Sequence, residues 1–203
     1  MDEEMNALDD SGTWELTPLP EEKKAIGCKW VYKIKHNADG SVNRYKARLV
    51  AKGYAQTYGI DFEETLSPIA KMATVRAPIA MAASKGWELQ QMDVKNAFLN
   101  GDLQEEVYME QPKGYVHPDF LHYVCRLKKA LYGLKQAPRA WIDRMSRFLQ
   151  SIGFEINKAD HSLYVKKTGC GLIVIVIYVD DLIITRGNKD EIVDVNKVLG
   201  AKI

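Results

Sequence analysis

The stretch "IVIVIYVDDLIIT", Ile173 to Thr185, decides how this chain reads. It is almost wholly apolar, yet two adjacent carboxylates, Asp180 and Asp181, interrupt it. An ionised carboxylate in an apolar interior is costly unless something pairs with it. Two apolar arms, "LIVIVIY" and "LIIT", flank "VDD", which fits an antiparallel hairpin with the acids at its tip. Asp is a common turn residue, so a solvated tip of this kind needs no function. A third acid, Asp93, favours a second reading, because it closes another expected strand, "GWELQQMDV". Three carboxylates gathered on neighbouring strands stay ionised together only with divalent cations. Hard oxygen ligands suit Mg²⁺, with Mn²⁺ as a substitute. Two such ions about 3.5–4 Å apart activate a 3′-hydroxyl and stabilise a leaving pyrophosphate.

The bulk composition fits a globular protein. With 203 residues, 46% of them hydrophobic, the chain can bury one large core or two small ones. Lys plus Arg is 28 and Asp plus Glu is 27, a net charge of +1, so any basic surface is local. The three cysteines, Cys28, Cys125 and Cys170, are odd in number and far apart, with no CxxC pair. They read as reduced thiols in an intracellular protein rather than a zinc site. The four histidines lack ligand spacing. No charged and apolar leader opens the chain, so no secretion signal is expected. The longest apolar run, Leu172 to Val179, is far short of the roughly 20 residues that span a membrane. It reads as a buried strand, and no membrane partner is expected.

Residues 1–13, "MDEEMNALDDSGT", form an acidic lead-in, loose or helical. "GCKWVYKIKHNADGSVNRYKARLVAKGY" predicts two strands joined at "NADG". The two-residue period of a strand puts Arg44, Lys46 and Arg48 on one face of the second arm and Tyr45, Ala47 and Leu49 on the other. Such a basic stripe is either a solvated face or a clamp for phosphates. "SPIAKMATVRAPIAMAASKG" is helix-like with a Gly86 stop, although Pro78 sits badly inside it. A strand through Asp93, a turn at Asn100-Gly101 and a short strand around Val107 to Met109 follow. "APRAWIDRMSRFLQSIGF" is the clearest helix, with Pro138 in its first turn and Gly153 at its end. Trp141, Met145, Phe148, Leu149 and Ile152 form its apolar, core-facing stripe.

Four blocks, in order, carry a resemblance: "RYKARLVAKGYAQTYGIDFEETLSPIAK" (Arg44 to Lys71), "QMDVKNAFLNG" (Gln91 to Gly101), "CRLKKALYGLKQAPRAW" (Cys125 to Trp141) and "YVDD" (Tyr178 to Asp181). Together they resemble the reverse transcriptases of copia-type LTR retrotransposons, from roughly Trp14 to the end of the chain. The resemblance implies an α+β fold of fingers and palm over residues 14–203, with an antiparallel palm sheet and packed helices. It implies RNA-templated DNA synthesis within a Gag-Pol polyprotein, in the cytoplasm (a virus-like particle) or the nucleus. The partners would be an RNA template, a DNA primer, dNTPs and the other parts of that polyprotein. Carried over by motif, Asp93 and Asp180 would bind two Mg²⁺ ions, and Asp181 would complete the acidic cluster. Phe98 matches the bulky gate that crowds a ribose 2′-hydroxyl. Gln136 resembles a residue that contacts the incoming nucleotide. Lys46 and Arg48 match the position that grips its triphosphate, and Tyr178 would lie near the primer end.

Some positions depart from that pattern. Only 22 residues follow Asp181, where such a palm continues and a thumb and RNase H domain come later. Pro78, Ile142 after Trp141, and "ITRGN" (Ile184 to Asn188) also differ from the common residues. These features lead to the expectation of a truncated, inactive genomic copy without a thumb. Two alternatives stand beside a polymerase: a non-catalytic remnant that binds nucleic acid, and another two-metal enzyme such as a nuclease or nucleotide cyclase.

Overall fold

The computed structural model describes residues 1–65, 70–169 and 171–187. Cys170, Asn188 and the 66–69 portion of the Arg44–Lys71 block lie outside the described residues. In chain order the elements are α1 (Asp2–Asp10), β1 (Trp14–Thr17), β2 (Cys28–His36), β3 (Val42–Ala51), α2 (Met72–Lys85), β4 (Glu88–Asp93), β5 (Asp102–Met109), β6 (Val124–Lys129), α3 (Ala137–Ser151), β7 (Glu155–Ile156), β8 (Leu163–Thr168), β9 (Gly171–Tyr178) and β10 (Asp181–Arg186). Every strand pairing among them is antiparallel. Helices and antiparallel sheets together make the α+β class read from the sequence. The chain divides into two compact units, Met1–Leu66 with Phe98–Trp141, and Ser67–Ala97 with Ile142–Ile203.

The first unit holds a three-stranded sheet in the order β1-β6-β5 and the separate β2-β3 hairpin. The acidic lead-in is a helix, and it is not loose. Met5 and Leu8 of α1 enter a core with Leu49, Val107, Met109, Cys125, Leu127 and Leu131. Removing such side chains from water is what holds a nine-residue helix that would be marginal alone. The expected short strand near Val107 is the end of a longer one, β5, with a register shift between Asp102 and Val107. A Cβ on Gly53 would lie 2.0 Å from the Gly133 carbonyl oxygen, so the backbones meet there at a distance only glycine allows.

The second unit is a five-stranded sheet in the order β4-β10-β9-β8-β7. β9 is its middle strand, and Ile173 through Ile177 are all buried, as the apolar run predicts. α2 packs against β4, β9 and β10. It runs through Pro78 without a break and ends at Gly86, whose φ of 64° is the left-handed helix stop expected there. The Pro78 ring removes one helical hydrogen bond, yet this residue is buried along with Ala82. In α3, Trp141, Met145 and Leu149 are fully buried and Ile142 nearly so, whereas Phe148, and Ile152 just past the helix end, are only half-buried. The stripe is thus wider towards Ile142 than its spacing suggested.

Candidate active site

The two apolar arms of the opening stretch pair as β9 and β10. Tyr178 stands opposite Asp181, which leaves Val179 and Asp180 as a two-residue loop. Val179 has a φ of 58°. Two-residue hairpin loops demand this left-handed conformation because it matches the twist of the strands, and they usually take glycine for it. A β-branched residue there is strained.

β10 also pairs with β4, and in that register Asp181 faces Asp93. Directly opposed residues project to the same face of a sheet, so both acids share one side. The Val94 N–H donates to the Asp180 carbonyl at 2.9 Å, which ties the loop to the chain just past Asp93. Gln91, two residues before Asp93 and on its face, donates from Nε2 to Oδ1 of Asp181 at 3.0 Å. Asp93 is exposed, Asp180 and Asp181 are half-buried, and Tyr178 is exposed at the end of β9. The backbone therefore brings the three aspartates and Tyr178 to one tip. Among the described residues, no group of three or more His, Cys, Asp or Glu side chains is gathered closely enough to hold a metal ion. The donor chemistry fits a hard cation.

The other candidate residues lie in the first unit. In the β2-β3 register Lys33 opposes Lys46, Lys35 opposes Arg44 and Val31 opposes Arg48. The basic stripe of β3 is thus doubled by Lys33 and Lys35 of β2. The period of two in "KWVYKIKH" carried that signal. Burial, and then the charges of Arg48 and Arg44, push the Lys46 ammonium pKa down. Glu4 of α1 is buried beside this stripe, and its Oε1 accepts from the Leu49 N–H at 3.3 Å. Burial pushes its carboxyl up, against the opposing pull of that hydrogen bond and of Arg48 and Lys46. The Arg48 guanidinium lies over the Tyr132 ring, 4.8 Å from its centroid. Its Nε is buried and has no hydrogen-bond partner among the described residues.

Phe98 is half-buried, packed on the first unit's core and edge-on to Tyr132, with ring centroids 5.1 Å apart. Gln136 is different. It is 2% exposed. Its Oε1 accepts from Gln56 Nε2 at 3.0 Å, and its Nε2 donates to the Asp61 carbonyl at 2.9 Å. The expected contact with an incoming nucleotide requires an exposed amide, and this one is buried and engaged at both ends. Gln56 and Tyr132 are the residues that sequence reasoning missed. Both lie inside quoted blocks, but nothing in their spacing marks them.

With this arrangement in view, the comparisons with known proteins are decisive. Residues 11–203 match the family described as "Reverse transcriptase (RNA-dependent DNA polymerase)". The chain belongs to the reverse transcriptase family. This reverse transcriptase domain is 48% identical over 186 residues to the "Retrovirus-related Pol polyprotein from transposon RE1" of Arabidopsis thaliana. That match covers 91% of the chain and 13% of the relative. It is 49% identical, with the same coverage, to the corresponding polyprotein from transposon RE2 of the same plant. The polyprotein from transposon TNT 1-94 of Nicotiana tabacum is 46% identical over 190 residues, 93% of the chain and 14% of the relative. The reverse transcriptase domain thus spans about an eighth of the length of these relatives. The family is one of RNA-directed DNA polymerases, as the four sequence blocks led us to expect. Among the described residues no helix is long and apolar enough to cross a membrane.

Proposed function

We propose that this chain contributes the nucleotidyl-transfer centre of a retrotransposon Pol polyprotein, adding dNTPs to a DNA primer on an RNA template. The observation that carries the reading is the register of β4 and β10, in which Asp181 faces Asp93 while Asp180 occupies the adjoining loop. Asp93 and Asp180 are the residues that would hold two Mg²⁺ ions, with Asp181 completing the acidic tip. Held there, such ions would supply Lewis-acid chemistry for the primer 3′-hydroxyl and charge neutralisation for the leaving pyrophosphate. Gln91, through its bond to Asp181, fixes one carboxylate of the tip. Tyr178, exposed beside the acids, is suited to the primer end.

The first unit supplies nucleotide selection in this proposal. Arg48 grips the triphosphate, because its buried Nε lacks a hydrogen-bond partner among the described residues and a guanidinium pairs with phosphate through two parallel bonds. Lys46 and the neighbouring cations add charge without that geometry. Phe98 crowds the 2′-hydroxyl. Gln136 acts from behind the surface and supports the loop that carries Gln56. The β2-β3 hairpin and the first unit would act as fingers, and the five-stranded sheet as the palm.

The test is extension of a DNA primer annealed to RNA, with Mg²⁺ and dNTPs, using Asp180→Asn as the blank. Against the inactive copy that the departures from the family pattern led us to expect, incorporation above that blank is the expected result here, because the register brings the three aspartates to one tip. Equal incorporation by the two proteins would remove the acidic tip from the chemistry.

A further inference from the structure

Tyr132 has no role in the polymerase reading above, on which this inference rests, yet its ring stands between two residues that do. Phe98 meets it edge-on at 5.1 Å and 73°, and Arg48 lies over it at 4.8 Å. All three side chains are half-buried, so the group has a solvent-facing side and is not simply core. The tyrosine is held by backbone. Its carbonyl accepts from the Ala51 N–H at 2.8 Å, at the end of the strand that carries Arg48. The next residue, Gly133, takes a φ of 91°, and a Cβ there would lie 2.2 Å from the Ala51 oxygen. Close approach of this kind leaves the ring little freedom to move.

Stacking on an aromatic face orients a guanidinium without using any of its N–H donors. Edge-to-face packing likewise fixes the tilt of a phenyl ring. We propose that Tyr132 is a positioning residue that sets Arg48 and Phe98 as one unit, so that phosphate grip and sugar choice for an incoming deoxynucleoside triphosphate depend on the same ring. A filler aromatic would affect neither property specifically. A shared mount affects both.

The experiment compares the full chain with Tyr132→Leu, Tyr132→Phe and Arg48→Lys. It measures single-nucleotide incorporation of dTTP and UTP, equilibrium binding of both nucleotides with Mg²⁺, and thermal unfolding. Tyr132→Leu is expected to raise KM for dTTP by about two- to thirtyfold, the span of a lost cation–π contact. It should lower the dTTP-to-UTP preference in the same protein, and Tyr132→Phe, which keeps the ring, should restore both. Arg48→Lys keeps the charge and loses the stack, so it should lower that preference too, and it serves where Tyr132→Leu does not fold. An unchanged dTTP-to-UTP preference in Arg48→Lys and in a folded Tyr132→Leu overturns the inference while leaving the polymerase reading intact. A wild-type chain that binds and incorporates neither nucleotide, like Asp180→Asn, overturns the reading and the inference with it.

Discussion

Gln56 donates from Nε2 to Oε1 of Gln136 at 3.0 Å, and both amides are almost completely buried. The rest of each amide is also engaged. Gln56 Oε1 accepts from the Lys135 N–H at 2.9 Å, and Gln136 Nε2 donates to the Asp61 carbonyl. Removing one partner strands the other in an interior that cannot solvate it. Either Gln56→Ala or Gln136→Ala should therefore cost about 1–3 kcal/mol of stability. The variant carrying both Gln56→Ala and Gln136→Ala should cost less than the two single losses added, because it leaves neither amide behind. Denaturant unfolding of the three proteins measures this. Fully additive losses would show that the amides act independently.

Asp160 joins two segments of the second unit. Its Oδ2 accepts from the Lys71 N–H at 3.2 Å and from the Thr74 hydroxyl, at the start of α2. Its Oδ1 accepts from the Ser162 hydroxyl at 2.6 Å and the Ser162 N–H at 3.0 Å. Burial alone would push this carboxyl up, but the hydrogen bonds from Ser162, Thr74 and Lys71 outweigh it and hold the pKa to about 2. A depressed folded pKa means stability that is present above the unfolded value of 3.8 and lost as pH falls towards about 2. Asp160→Ala should be the less stable protein at pH 7. Its gap from wild type should narrow between about pH 4 and pH 2, as thermal unfolding across that window would reveal. A gap that stays constant with pH would assign the loss to packing instead.

The basic hairpin face makes a prediction about salt. Lys33 and Lys35 face the same side as Arg44 and Lys46. If that side meets nucleic acid backbone, each phosphate contact contributes nearly one unit to the slope of log affinity against log salt. Lys33→Ala with Lys35→Ala should weaken binding of an RNA–DNA duplex and reduce the slope by about one to two units. Fluorescence anisotropy over a salt series reads both. Weaker binding with an unchanged slope would rule out phosphate contacts by these two lysines.

Val179 gives a prediction of opposite sign. Its φ of 58° costs a non-glycine residue roughly 1–2 kcal/mol, part of which glycine returns as lost chain entropy. Val179→Gly should leave stability unchanged or raise it by up to about 1 kcal/mol. A marked fall in melting temperature would mean that the valine side chain, rather than the backbone, holds the loop.

Much of this was legible in the sequence, for reasons particular to each element. The β9-β10 hairpin could be read because two apolar arms have no other way to surround a pair of acids. The cationic face of β3 followed from a period of two. α3 followed from its stripe and the punctuation of Pro138 and Gly153. Length was harder to read. β5 extends back to Asp102 through polar residues whose pairing with β6 depends on a register shift. Nor could the lead-in be told from a loose segment, since its helix depends on a core contributed mostly from beyond residue 40. The site divided in the same way. The aspartates announce themselves by being charged in apolar surroundings. Gln136 and Tyr132 depend on neighbours distant in sequence, Gln56 for one and Phe98 with Arg48 for the other, and no local pattern encodes those pairings.

The link between Tyr178 and Asp181 is two residues long, and both flanking strands are locked to neighbours. Along β10 the facing alternates, with Leu182 and Ile184 inside and Asp181 on the side of Asp93. One deleted codon leaves too few residues for a two-residue turn and would displace every later residue of the strand by one. Leu182 and Ile184 would then turn to the side of Asp93, and Asp181 to the opposite side. Many single-residue replacements at the loop change only a side chain, but the loss of one residue inverts a strand. Drift in copies of this domain should therefore accumulate as substitutions around Asp180 and Asp181 long before the loop that carries them shortens.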